Sequence, residues 1–186
     1  LLNPKLGGPS VFPPQPKSMG EGIYGGGGWR TSAGSDRYRR SLYTYTKRSM
    51  PFAMHDTFDA PSGEICVARR DVSNTPLQAL TLANDEAFFE FAQGLALHIL
   101  KSTSSSNDQR LSYAFQVCLS REPNDFEYDR LGKFIEQQRT YYESTPQEAA
   151  SLAPSDLPDD IDVSEAAAWT ATARVILNLD EFITRE

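Results

Sequence analysis

The apolar positions of this chain fall into helical spacing from about residue 75 to the end and show little periodicity before it. The strongest start signal is Asn74-Thr75-Pro76-Leu77-Gln78. Thr75 suits the N-cap, Pro76 the first helical position, and Gln78 the place from which a side chain reaches back to close a capping box. Leu77, Leu80 and Ala83 predict one apolar face on that helix. Asn84-Asp85 breaks or bends it, and Asp85 caps a second helix with Phe88, Phe91, Ala92, Leu95 and Ile99 inward. Asp108 caps a helix carrying Leu111, Ala114, Phe115, Cys118 and Leu119, which ends near Arg121. Asn124 with Glu127 repeats the capping box before Leu131, Phe134, Ile135 and Tyr142, and Thr145 with Glu148 repeats it again before a short helix to about Ala153. An acidic loop at 154–162 leads to a last helix through Trp169, Ala173, Ile176 and Leu177, with Leu179, Phe182 and Ile183 as an apolar tail. The predicted fold is mainly α. It is a small bundle of about five helices after residue 75, with short loops and antiparallel neighbours. A long irregular arm, residues 1–74, packs on that bundle, residues 75–186, within one domain.

The arm is punctuated by turn and polyproline signals at Asn3-Pro4, Gly7-Gly8-Pro9 and Pro13-Pro14. The four glycines at 25–28, closed by Trp29 and Arg30, lack the Gly-Lys-Ser/Thr and the strand–loop–helix setting of a phosphate cradle, and read as a loop. Ser35 or Asp36 can cap a short helix. Equally, residues 42–46, rich in aromatic and Thr residues, can form a strand that pairs with Ile65-Cys66-Val67-Ala68. The pattern leaves both open.

Charge sharpens the contrast between the two parts. Residues 1–74 hold ten Lys/Arg against six Asp/Glu, a net of +4, and residues 75–186 hold eight against nineteen, a net of −11. The parts attract one another, or one of them meets an anionic partner. A net charge of −7 argues against general nucleic-acid binding. No apolar run approaches the length of a membrane span. Cys66 and Cys118 read as free thiols, with a disulfide between them as the alternative. The abrupt start at Leu1-Leu2-Asn3-Pro4 reads as a piece of something longer.

Candidate chemistry is sparse. His55 and His98 are the only histidines, and no Cys-x-x-Cys, Cys-x-x-Cys-His or His-x-x-x-His occurs, so no zinc or covalent-haem ligand set is predicted. His55, Asp56 and Asp59 read as a hydrogen-bonded loop rather than a carboxylate metal site. No serine sits in Gly-x-Ser-x-Gly, and Asp159-Asp160 reads as solvated. The sequence therefore names no catalytic residue and no cofactor. Its most unusual group is Trp29, Arg37, Arg39, Arg40, Tyr43, Asp59, Arg69 and Arg70. The planar guanidinium fork suits bidentate anions and stacking on rings. One reading is an anion- or acidic-glycan-binding surface. The other, favoured here, is an internal Arg–carboxylate network fixing the arm, with Arg40 or Arg70 buried and forked onto Asp59, Asp71 or Asp85.

Several long motifs stand together: Asn3-Pro4 with Gly7-Gly8-Pro9-Ser10-Val11-Phe12-Pro13-Pro14; Asp36-Arg37-Tyr38-Arg39-Arg40-Ser41-Leu42-Tyr43; Thr57-Phe58-Asp59-Ala60-Pro61; Asn74-Thr75-Pro76-Leu77-Gln78-Ala79-Leu80; and Arg174-Val175-Ile176-Leu177-Asn178-Leu179-Asp180-Glu181-Phe182. On them, the chain resembles the C-terminal domain of unknown function found in large proteins of planctomycetes and related bacteria. Those proteins carry a planctomycete cytochrome c domain upstream. The resemblance implies an exported, periplasmic or cell-surface setting, an upstream domain as partner, haem held by that other domain, and Glu186 as the native end. It carries no catalytic residue. A non-catalytic helical module is the leading expectation. An acidic-glycan-binding module and a share in an active site formed with the upstream domain are the alternatives.

Overall fold

The computed structural model describes residues 2–16, 29–47, 50–63, 65–102 and 106–184. Among them stand eight α-helices: α1 (Ala53–Thr57), α2 (Pro76–Asn84), α3 (Glu86–Ser102), α4 (Asn107–Leu119), α5 (Asp125–Ser144), α6 (Pro146–Leu152), α7 (Val163–Leu177) and α8 (Asp180–Ile183). The mainly helical prediction holds. Seven helices rather than about five follow residue 75: α2 to α7 are each read in the sequence, and the apolar tail closes as the additional α8. The chain divides into two compact units, Leu1–Ala87 and Phe88–Glu186, so α2 falls with the preceding residues.

In the second unit α7 packs on α5, α6, α4 and α8. It is buried on nearly every side: Ala166, Ala167, Ala168, Trp169, Ala173 and Ile176 are all at 0 % exposure. Small side chains let neighbours approach it closely. Its two buried threonines keep their hydroxyls satisfied by donating to the carbonyls of Ala166 and Ala168, one turn back. Leu111, Ala114, Phe115, Leu131, Ile135 and Ile99 complete the core, as the helical spacing predicts. Asn124 and Glu127 close their capping box at the start of α5. The predicted third box does not form. Thr145 also ends α5, and its hydroxyl turns back to donate to the Tyr141 carbonyl. Helix α4 opens two residues earlier than predicted: Ser106 rather than Asp108 holds the N-cap position, and Asp108 lies in the first turn.

The first unit is built differently. The apolar clusters found among the described residues lie in the second unit. Here burial is confined to scattered residues, among them Val11, Met50, Phe52 and Leu82. A run of ring contacts links several of them: Trp29 stacks on Phe52 with centroids 5.6 Å apart, and Phe12 meets Trp29 edge-on and Tyr45 tilted. Where residues 35–48 are described, the short-helix alternative holds in part, in 3₁₀ form and with neither Ser35 nor Asp36 at the N-cap. The segment forms 3₁₀ turns at Gly34–Tyr38 and Ser41–Tyr43, followed by an isolated bridge from Thr44 to Val11. The partner of the 42–46 segment is therefore Val11, whose N–H donates to the Tyr43 carbonyl while its own carbonyl accepts from Tyr45. Residues Ile65 to Ala68 lie exposed instead of pairing there. The glycine run at 25–28 lies outside the described residues.

Helix α2 starts as predicted, with both bonds of the Thr75–Gln78 capping box made. Its faces are reversed. Gln78 and Leu82 are buried, at 1 % and 5 % exposure, whereas Leu77 and Leu80 stand 59 % and 60 % exposed. The reason is polar: the Gln78 side chain is drawn inward by bonds at both ends, and rotating the leucines inward would strand it. This face choice is checked by stability. Leu82→Ala is expected to cost about 2–3 kcal/mol, while Leu80→Ala stays within about 0.5 kcal/mol of the parent in urea melts.

Candidate functional site

The first unit's polar groups gather around two guanidinium groups and one buried amide. Arg39 lies between the two 3₁₀ turns, and Asn3 and Arg39 form an isolated parallel bridge. Its side chain is enclosed, at 7 % exposure. Nη2 donates to the carbonyls of Gly7 at 2.6 Å and Lys5 at 2.9 Å, and Nη1 to that of Pro9 at 3.3 Å. The guanidinium also lies 3.7 Å from the centroid of the Tyr43 ring. The Tyr43 hydroxyl accepts the Gly7 N–H at 2.8 Å. This explains Gly7-Gly8: both adopt positive φ, +71° and +96°, as the chain wraps its carbonyls around the guanidinium.

Arg70 repeats the pattern at the end of α1. Its Nε donates to the Asp59 carbonyl at 2.8 Å and its Nη2 to the Phe58 carbonyl. Asp59 itself has φ +56°. Its carboxylate accepts from the Ser73 N–H at 2.8 Å, the Ser73 hydroxyl at 2.6 Å and the Gln78 amide at 3.4 Å. The Ser73 donors, with help from Gln78 and Arg70, hold the Asp59 carboxyl below the usual range. Gln78 completes the knot. Its Nε2 reaches the Thr57 carbonyl and the Ser73 hydroxyl, and its Oε1 accepts the Thr75 N–H.

The sequence-predicted group is thus dispersed into separate structural roles. Trp29 donates its indole N–H to the Pro13 carbonyl at 2.6 Å and stacks on Phe52. Arg37 meets Glu86 at 3.3 Å and lies over the Tyr38 ring. Arg40 and Arg69 are exposed. The predicted Arg–carboxylate fork at Arg40 or Arg70 is not made: both are exposed, and Arg70 takes carbonyl oxygens. An irregular chain leaves carbonyls without N–H partners, and those outcompete carboxylates that water solvates well. Sequence reasoning singled out Arg39 only as one arginine among five. Nothing in the sequence set it apart from the other four, since Gly7, Gly8 and Pro9 meet it only in the fold.

The sequence reads His55, with Asp56 and Asp59, as a hydrogen-bonded loop, but His55 stands with Asp56 on α1, and the sequence reading misses the Arg121 group outright. His55 is half-buried, its ring edge-on to Phe52 at 5.2 Å and its Nε2 buried without a partner. Burial pushes its pKa below the ordinary 6.5; Arg70 adds to this and Asp56 opposes it. In the second unit Arg121 forks onto Glu127 at 2.7 and 2.8 Å and onto Glu181 at 2.7 to 3.0 Å. The pairing lowers both carboxyl pKa values and raises that of Arg121, and it fastens α8 to the turn before α5. The capping box marked Glu127, but spacing alone gave no sign of Arg121 or Glu181 as its partners. Cys66 is an exposed free thiol, and Cys118 a free, half-buried one that burial pushes up to about 11. Its thiol is protonated at neutral pH and a poor nucleophile. His98 bonds the Tyr113 hydroxyl at 2.7 Å on the surface of the second unit. Among the described residues no three His, Cys, Asp or Glu side chains group around a metal-sized space, and no helix is long and apolar enough to cross a membrane.

Over residues 1–135 the chain matches the model of the family PSD1, a protein of unknown function (DUF1553), and it belongs to that family. No curated protein and no solved structure matches it.

Two measurements test this geometry. Arg39→Lys is expected to lose nearly as much stability as Arg39→Ala, roughly 2–4 kcal/mol, because an ammonium cannot serve three carbonyls from one plane. A lysine variant within about 0.5 kcal/mol of the parent in a urea melt contradicts the carbonyl cage. For His55, the folded pKa lies below the unfolded one, so the unfolded chain binds the proton first as pH falls. Stability is therefore complete above about pH 6.5 and declines below it, towards the depressed folded pKa. The urea midpoint at pH 5.5 is expected to lie below that at pH 7.5, and His55→Gln to lessen the difference. An unchanged pH dependence in the variant overturns the assignment.

Proposed function

We propose that this chain is a non-catalytic helical module of a large exported multidomain protein whose preceding part carries a c-type cytochrome, and that it works by packing against that part. The observation that supports this reading is the destination of the Arg/Tyr/Trp group. Arg39, Arg70, Tyr43 and Trp29 direct their polar atoms to backbone groups of their own unit. Asp59 is engaged by Ser73 and Gln78. A substrate pocket built from these residues requires them open and convergent. The setting, periplasmic or at the cell surface, follows from the family resemblance, as does haem in another domain. In this reading the chain itself carries no cofactor.

Acidic-glycan binding is the second reading, and the exposure of Arg40 and Arg69 favours it. Calorimetry separates the two. The purified preceding portion is expected to bind this chain in trans, and sulfated polysaccharide at low ionic strength is expected to give no binding up to roughly 1 mM, where affinity is worth only about 4 kcal/mol. Micromolar binding to the polysaccharide that salt abolishes and that Arg40→Ala with Arg69→Ala removes turns the conclusion to the second reading. Absence of binding to the preceding portion overturns the first.

A further inference from the structure

Helix α8 lies on the second unit by an attachment that comes apart without leaving a charge unpaired. None of its four residues is buried. Its Phe182 packs on Ala92, Ala173 and Leu177, where Cys118 also sits. Its Glu181 supplies a polar tie, accepting from Nε and Nη2 of Arg121 at 2.7 to 3.0 Å. Arg121 does not depend on that tie. It holds Glu127 in a second fork, donates to the Glu122 carbonyl at 3.0 Å and lies over the Phe115 ring. When Glu181 lets go, the guanidinium stays paired with Glu127, and the Glu181 side chain, already 47 % exposed, passes to water. The turn between α7 and α8 works in the same direction. There the Asn178 Oδ1 is buried without a partner, so opening at that turn hydrates a group that the closed form leaves unsatisfied.

We propose that α8 is a strap: latched by Arg121 and hinged at Asn178, it swings off the end of α4 and bares the Cys118 thiol together with the seat of Phe182. A cleft of about 610 Å³ is bounded by residues 117–120 on one side and by Asp180, Glu181 and Thr184 on the other, and along this line the two elements part. While the strap is closed, burial keeps the Cys118 thiol protonated and unreactive. Opening brings the same thiol into water. The reactivity of Cys118 is thereby set by the Arg121–Glu181 pair, and salt, which screens a pair this exposed, favours the open form. Small helices held by few apolar contacts open locally well before a core such as that around α7 does.

Alkylation and hydrogen exchange of the 186-residue chain test this together. Cys66→Ser removes the exposed thiol, so that iodoacetamide, an uncharged reagent, reads Cys118 alone. Adding Glu181→Ala is expected to raise the alkylation rate about three- to tenfold, the range from an exposed ion pair to a charge-assisted fork. The Phe182 and Thr184 amides, which donate to the Leu179 and Asp180 carbonyls, are expected to exchange faster by the same factor. Those of Ala173 and Ile176 in α7 keep their rates. Lys133→Ala, which breaks an exposed ion pair on α5, is expected to change neither readout. Alkylation that Glu181→Ala leaves unchanged overturns the proposal. So does faster alkylation without faster α8 exchange, which is altered thiol chemistry rather than opening. Equal acceleration in α7 also overturns it, because the whole unit then unfolds and no strap moves by itself.

Discussion

Three backbone carbonyls turned onto one guanidinium hold the first unit's shape. A chain segment without long helices or a sheet must still satisfy its buried backbone groups. Arg39 does so for Lys5, Gly7 and Pro9 together, and the Tyr43 ring closes its other side. Around that point the segment makes its few regular bonds: Asn3 to Tyr38, Val11 to Tyr43 and Tyr45 to Val11. The aromatic run from Tyr45 through Phe12 and Trp29 to Phe52 then continues the packing to α1. Among the described residues, the Arg, Tyr and Trp side chains singled out in the sequence are mostly held by backbone groups and rings of their own unit, the outcome nearer the favoured internal-network reading than a binding surface.

The second unit rests on the opposite principle. The buried hydroxyls of Thr170 and Thr172 are satisfied within α7, and the unit's stability comes from burying that helix among its neighbours. The Ala-Ala-Ala run beside Trp169 lets them close in. Charge enters where helices end: Arg121 ties Glu127 to Glu181, and Arg110 meets Glu165 at 2.5 Å. The Arg121 pairs are partly exposed and contribute modestly beside the apolar core, whereas Arg110 is itself buried.

Legibility followed the same division. Helices α3, α4, α5 and α7 announced themselves because a core of apolar side chains imposes a 3.6-residue period on the sequence; most of the residues named inward are buried, but Phe88 and Phe134 stay half-buried, and the buried Ala96 and Leu100 were not named. The α2 boundary was equally plain from Thr75, Pro76 and Gln78. Its facing was misread because periodicity counts leucines and cannot weigh a glutamine whose side chain bonds Thr57, Asp59, Ser73 and Thr75. The 42–46 segment was mispaired for a related reason. Strand propensity says that a segment wants a neighbour, and Val11 lies in a Pro-flanked stretch with no strand signal. The arginines were recognised as unusual, but sequence holds no sign of a carbonyl acceptor, since every residue has one. Membership of a family of unknown function adds no assigned site to these residues.

The central claim is that the Arg39 cage, rather than any carboxylate pairing, orders the first unit. Amide hydrogen exchange read by NMR tests it most directly, at Asn3, Gly7, Val11 and Tyr45, whose N–H groups donate within the caged segment. In Arg39→Lys these four amides are expected to lose protection together, while in Arg40→Lys they keep it. Protection that survives in Arg39→Lys, or collapses equally in Arg40→Lys, contradicts the account.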